Sequence, residues 1–216
     1  VAAAYLALGL AAAIPYFLLV VDYPSADTAA DKVDLIVANY PSMYAVYLAT
    51  YVVFGLAVGV LALALWERLQ GEATSLVRVA TAIGLLWSFV LVASGMVFTY
   101  GMTTIHDLVA TDHARAVLAW QAIEPVALAL GGTGGELLGG LWVLLVSVAI
   151  LNGTALPKGL GSLGVVIGSV GLASTVPPLH DATVAFGLLE IIWLGWLGGL
   201  LIMATKTLSA SEVHRR

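Results

Sequence analysis

The stretch that decides the fold is Ala114–Leu151, ARAVLAWQAIEPVALALGGTGGELLGGLWVLLVSVAIL. Two apolar runs, Ala114–Leu130 and Leu137–Leu151, flank Gly131-Gly132-Thr133-Gly134-Gly135. A helix crossing the ~30 Å hydrocarbon core of a bilayer needs about 20 residues. The stretch therefore reads either as two short spans joined by a turn or as one crossing broken near its outer end. Charge separates the two, because cytoplasmic loops carry the Lys/Arg excess. With one crossing, Arg68, Arg78, Lys158, Lys206, Arg215 and Arg216 fall on one side, and only Lys32 and Arg115 lie opposite. With two crossings, Lys158 and everything after it change face and the bias disappears. One crossing is the expectation.

Working outward, five further apolar runs are long enough to span: 2–21, 43–66, 76–100, 159–175 and 182–205. With 114–151 they predict an all-α, polytopic transmembrane helix bundle of about six spans, a single integral membrane domain with both termini cytoplasmic. Ala2–Val21 reads as a retained span, since neither a charged n-region nor an A-x-A site accompanies it. Composition agrees: 61% of the 216 residues are hydrophobic and 10% charged, with a mean hydropathy of +1.04. A soluble domain carries about 25% charged residues. The longest polar stretch, Asp22–Ser42, reads as a loop. With no cysteine, disulfides, thiolate metal sites and catalytic thiols are excluded. A net charge of -5 argues against a nucleic-acid partner. The implied partners are the lipid bilayer of a cell membrane, a prokaryotic inner membrane on this reading, and a membrane complex or homo-oligomer.

The six-span arrangement sorts the polar residues. The outer face receives Asp22, Asp27, Asp31 and Asp34, then His106, Asp107, Asp112 and His113, then His180 and Asp181; His214 stays in the charged C-terminal tail. Inside the spans, Gly55/Gly59, Gly164/Gly168 and Gly195/Gly199 recur at four-residue spacing, which lets helix backbones approach. Trp87, Trp142, Trp193 and Trp196 lie within spans rather than at their ends, and packing is the expected role.

Ionisable groups within spans are costly and usually face a cavity or a partner. Glu124, Glu136 and Glu190 are such groups. They read either as separate structural hydrogen bonds or as the lining of a shared hydrated cavity opening outward. If Thr103–Glu124 is one helix, offsets of 7, 14 and 18 residues place His106, His113, Trp120 and Glu124 within about 40° of one face. With His180 and Asp181, that face suggests an N/O-ligand metal site built from His106, His113, His180, Asp181 and Glu124. Against it, His106 and His113 would stand about 10 Å apart on one helix, and no H-E-x-x-H or similar spacing occurs. A haem on two histidines is a variant, although these histidines sit near the water boundary. No span has an interior lysine for a Schiff base. Ser88, Ser94, Ser147 and Ser169 read as packing serines, and no Lys-Ser/Thr pair follows Gly131–Gly135 to make a phosphate loop.

The C-terminal third carries a resemblance. Gly139-Gly140-Leu141-Trp142-Val143-Leu144-Leu145, then Leu156-Pro157-Lys158-Gly159-Leu160-Gly161, the glycine-rich run Gly164–Gly171, and Glu190-Ile191-Ile192-Trp193-Leu194-Gly195-Trp196-Leu197-Gly198 form one pattern. It resembles a bacterial six-span membrane family of unknown function (domain-of-unknown-function 4386-like). The resemblance implies a six-helix fold and no activity. The acidic first loop and His106–His113 lie outside it, so no functional residue carries over.

The leading expectation is a non-enzymatic accessory subunit or small receptor with a polar outer-face site. Second stands a membrane metal- or haem-binding redox protein or enzyme using outer His/Asp/Glu residues. Third is a small transporter or channel lined by Glu136 and Glu190; no polar path continues below Glu190.

Overall fold

In the computed structural model the longest element, α5 (Thr74–Val109), runs 36 residues without interruption, about 54 Å at 1.5 Å per residue. Most of the other helices are placed by contact with α5 or with a neighbour of α5. The structure describes residues 2–16, 19, 21, 26–69, 71, 74–131 and 136–213, without the side chains of 10, 14, 15, 74 and 205–213. Among these residues the chain is all-α, with no strand.

The remaining elements are α1 (Ala2–Pro15), α2 (Ala29–Ala38), α3 (Tyr40–Tyr47), a π-helical segment Leu48–Val53, α4 (Phe54–Leu69), α6 (His113–Gly131), α7 (Leu137–Asn152), α8 (Lys158–Ala173) and α9 (Ala182–Val213). The stretch Tyr40–Leu69, α5 and Ala182–Ala204 are long and apolar enough to cross a membrane; Ala2–Ala13, Leu137–Asn152 and Lys158–Ala173 are shorter apolar helices.

These helices close a ring. Contacts run α1 to α4, α4 to α5, α5 to α7, α7 to α8, α8 to α9, and α9 back to α1. Glycines set the close approaches and reveal the directions. Gly55 faces Leu91 and Gly59 faces Ser88 across α4 and α5; Gly140 faces Gly171 and Gly161 faces Leu151 across α7 and α8. Gly159 meets Trp196 across α8 and α9, and Gly198 meets Ala4 across α9 and α1. In the α4–α5 and α7–α8 pairs, numbering rises on one helix as it falls on the other. The α8–α9 pair obeys the same rule, with Gly164 and Leu160 both reaching Trp193. Neighbours therefore alternate in direction, and an even number of alternating helices closes without a parallel pair.

The Gly55/Gly59 and Gly164/Gly168 pairs are packing positions. The third expected pair differs: Gly195 is barely in contact and Gly199 has open space, while Gly198 is the residue pressed on the α1 backbone. Ring packing selects the α9 face that meets α1, and spacing alone does not identify that face.

α6 and α7 follow one another along the same α5. Gly101 meets Ile123, the Ser94 hydroxyl donates to the Ala127 carbonyl (2.8 Å), Gly131 meets Ser94, and Gly139 meets Trp87. Residues Ile123–Gly131 of α6 and Gly139–Trp142 of α7 meet α5 in antiparallel order. Lys158 closes the far end of α7 by donating to the carbonyls of Ile150, Leu151 and Gly153, where a cation complements the helix dipole.

Two hydrophobic cores are strung along α5. The larger lies inside the ring and includes Leu61, Trp87, Trp142, Val143, Ile167, Phe186, Trp193 and Leu197. The smaller caps one end, where Val33, Ile36 and Met43 pack on Phe98, Met102, Ile105, Ala116 and Trp120. This cap corrects two expectations. Asp22–Ser42 is not all loop: Ala29–Ala38 is helical, started by a reciprocal capping box between Thr28 and Asp31. Its apolar residues Val33, Ile36 and Val37 keep i, i+3, i+4 spacing and bury one face. Asp22–Ser25 lie outside the described residues. Nor is Thr103–Glu124 one helix. α5 ends at Val109, and the Asp112 carboxylate caps a new helix by accepting from the Arg115 N–H at 2.9 Å. The shared His106–His113–Glu124 face does not exist.

Around the ring the outward faces stay apolar, with Leu8, Val60, Phe89, Met96, Val166, Val184 and Ile192 all exposed. A belt of this extent is a surface that water does not solvate well.

Candidate functional site

Where the ring meets the cap, six segments fail to fill the space between them. The result is a half-open cavity of about 200 Å³, lined by Ala13, Thr50, Tyr51, Phe54, Trp87, Leu91, Gly131, Glu136, Phe186, Gly187 and Glu190. Local sequence explains the opening. The π-helical segment holding Thr50 and Tyr51 has a wider turn than an α-helix, a distortion frequent at functional sites. α6 stops at Gly131, and Gly187 adds no side chain.

Two carboxyls line this space. Glu190, on α9, is only 3% exposed, and its Oε1 has no hydrogen-bond partner among the described residues. Glu136 stands at the start of α7, where its N–H donates to the buried Ser174 hydroxyl (3.0 Å) and its carbonyl accepts the first bond of the helix, from the Gly140 N–H (2.9 Å). Its Oε2 would lie 3.1 Å from a Cβ at residue 139, so Gly139 leaves the room it occupies. The two carboxyls are close enough for a charge on one to be felt by the other. Glu136 and Trp87 also line a neighbouring cavity of about 140 Å³ with Val90, Ala129, Leu130, Leu137 and Leu138.

Aromatic rings form the rest of the wall and the floor. Tyr51 packs on Tyr47 and Phe98 at centroid distances of 5.6 and 5.3 Å. Below it, Phe54, Trp87, Trp142 and Trp193 form a column with successive centroids 6.3, 5.6 and 6.1 Å apart. Trp193 is tied by its Nε1–H to the Leu160 carbonyl at 3.0 Å. Packing was the expected role of these tryptophans, and Trp142 and Trp193 fill the core; Trp87 also presents itself to the cavity, while Trp196 is exposed. The hydroxyls of Ser94 and Ser169 bond to Ala127 and Val165 carbonyls, so neither is spoken for by Glu190.

The expected outer cluster is dispersed. The Lys32 ammonium donates to both Glu124 oxygens at 2.7 and 2.9 Å, binding α2 to α6. His113 Nε2 sits 2.8 Å from Asp34 Oδ1, a second link between the same helices. His106 stacks on Tyr40 at 4.4 Å and lies 3.5 Å from Asp107. His180 and Asp181 are exposed after the short turn Pro177–Leu179. Among the described residues no three His, Asp or Glu groups come together to hold a metal ion; His214 lies outside them. Alternation of charge along α2 (Asp31, Lys32, Asp34) was the one signal that could have predicted these pairs.

At the cap surface, hydrogen bonds from the Thr28 hydroxyl and backbone N–H hold the Asp31 carboxyl below its ordinary range.

Compared with known proteins, the chain matches no family model, no curated protein and no solved structure.

Proposed function

We propose that the chain is a six-span integral membrane protein of a prokaryotic inner membrane, with both termini cytoplasmic, acting as a small receptor or accessory subunit that binds a ligand in the central cavity. The observation that carries this is a buried carboxyl without a hydrogen-bond partner among the described residues, Glu190, on the wall of the cavity. An ionisable group in such a place is costly unless something completes it. The apolar outer belt and the six alternating apolar helices support the membrane setting, and α6–α7 counts as one crossing with a break near its outer end. Arg68, Arg78 and Lys158 then share the cytoplasmic face, and the cap stands outside. The resemblance to the domain-of-unknown-function 4386-like family belongs to this proposal and rests on the glycine–tryptophan pattern of the last three spans. Tilted and edge-on tryptophans that fill the core next to Trp87 fit a binding protein better than a conduit.

The chain has no native cysteine, so single cysteines report cleanly. At Asp27 one should react with an impermeant thiol reagent in intact cells; at Lys158 it should be shielded. At Gly187 a small reagent should enter and a bulky one should not. Labelling of the Lys158 position from outside overturns the topology, and an unreactive Gly187 position overturns the cavity as a binding site.

A further inference from the structure

We infer that the ligand of this cavity is an organic cation, an ammonium group carried on an apolar or aromatic body. The inference rests on the receptor reading above and adds the chemical class.

Charge is the first ground. The lining holds two carboxyls, Glu136 and Glu190, and no Lys, Arg or His among the described residues. Any ligand completing this wall is cationic or donates hydrogen bonds. The second ground is the rings. Tyr51, Phe54, Trp87 and Phe186 line the same space, and aromatic faces attract ammonium groups, tryptophan most strongly. The third is Glu190 itself, buried with Oε1 lacking a donor among the described residues. An ammonium N–H group placed by the two glutamates would supply what the protein does not.

A bare metal ion fits less well. Divalent ions take six or more oxygens, or a compact set of N/O ligands; this wall offers two carboxyls and two hydroxyls spread among rings. Two sources present the chemistry, a free amine and the ammonium end of a zwitterionic lipid. A lipid would bring its phosphate to a wall with no basic group, which favours the free amine.

The test uses the purified full chain in nanodiscs of phosphatidylcholine, with 2-phenylethylamine as probe and 2-phenylethanol as its neutral counterpart. Trp87 fluorescence and thermal stability are the readouts. Saturable binding of the amine is expected, at least about tenfold tighter than the alcohol, which corresponds to 1.4 kcal/mol. Glu190→Gln and Glu136→Gln should each weaken the amine by a similar factor and leave the alcohol unchanged. Glu136→Gln keeps the test valid should Glu190→Gln misfold, and the amine–alcohol comparison needs no variant. Stabilisation by phosphatidylethanolamine discs, lost in the glutamine variants, would identify the lipid ammonium as the source. Equal binding of amine and alcohol overturns the cation inference while the cavity reading stands. Binding of neither, with the Gly187 cysteine unreactive, overturns both. Calcium or sodium ions competing fully with the amine at equal concentration would assign the site to inorganic cations and overturn the inference.

Discussion

Replacing Gly168 by alanine tests whether the ring is closed by backbone contact. A Cβ at this position would lie 2.7 Å from the Gly140 carbonyl oxygen, the Leu144 nitrogen and the Leu144 Cβ. Ordinary contact begins near 3.4 Å, so the overlap is about 0.7 Å against atoms that cannot rotate away. α7 and α8 must move apart, and overpacking of this kind costs roughly 1–3 kcal/mol. Alanine's better helix propensity returns about 1 kcal/mol, so the net expectation is a loss of up to about 2 kcal/mol. Gly199→Ala is the control: it adds the same methyl in the same kind of helix with nothing within 4 Å. It should be neutral or stabilising by up to about 1 kcal/mol. Reversible unfolding in mixed detergent micelles, followed by the fluorescence of the buried Trp142 and Trp193, measures both. If Gly168→Ala equals wild type, or Gly199→Ala loses as much, close approach of α7 and α8 is not what holds them together.

Two predictions concern the cap. Glu124→Gln leaves the half-buried Lys32 facing a neutral amide and should loosen α2 from α6 by about 1–2 kcal/mol, between an exposed pair and a buried one; faster amide exchange confined to α2 and the outer half of α6 would show it, and unchanged exchange refutes it. The Asp31 carboxyl, held below its ordinary value of 3.8 by Thr28, contributes stability that is present above that value and lost as pH falls through its lowered folded value. Amide exchange in α2 should therefore rise below about pH 3.8 and lose this dependence in Asp31→Asn; an Asn variant with the wild-type acid profile would assign the effect elsewhere.

Sequence alone determined the all-α class and the six apolar segments, because burying backbone polar groups in apolar surroundings forces helices wherever such runs are long enough. It also singled out Glu124, Glu136 and Glu190 as the costly groups, since a carboxyl in an apolar run is anomalous in any packing; that Glu124 pairs with Lys32 while the other two line the cavity was decided by the tertiary structure. The sequence did not show that Asp112 would end one helix and begin another, because a single side-chain cap outweighs the periodicity that had joined His106 to Glu124. Nor could it pair Lys32 with Glu124 or His113 with Asp34: these partners lie 92 and 79 residues apart, and their meeting depends on α2 folding back over α6. The cavity is likewise a property of the closed ring. Tyr51, Trp87 and Phe186 each look like packing residues on their own helices, and only the way the helices stand around Glu136 and Glu190 makes them a wall. Local composition sets what each helix must bury, whereas the choice of which faces meet is made by close approach between helices, at glycines such as Gly140, Gly168 and Gly198.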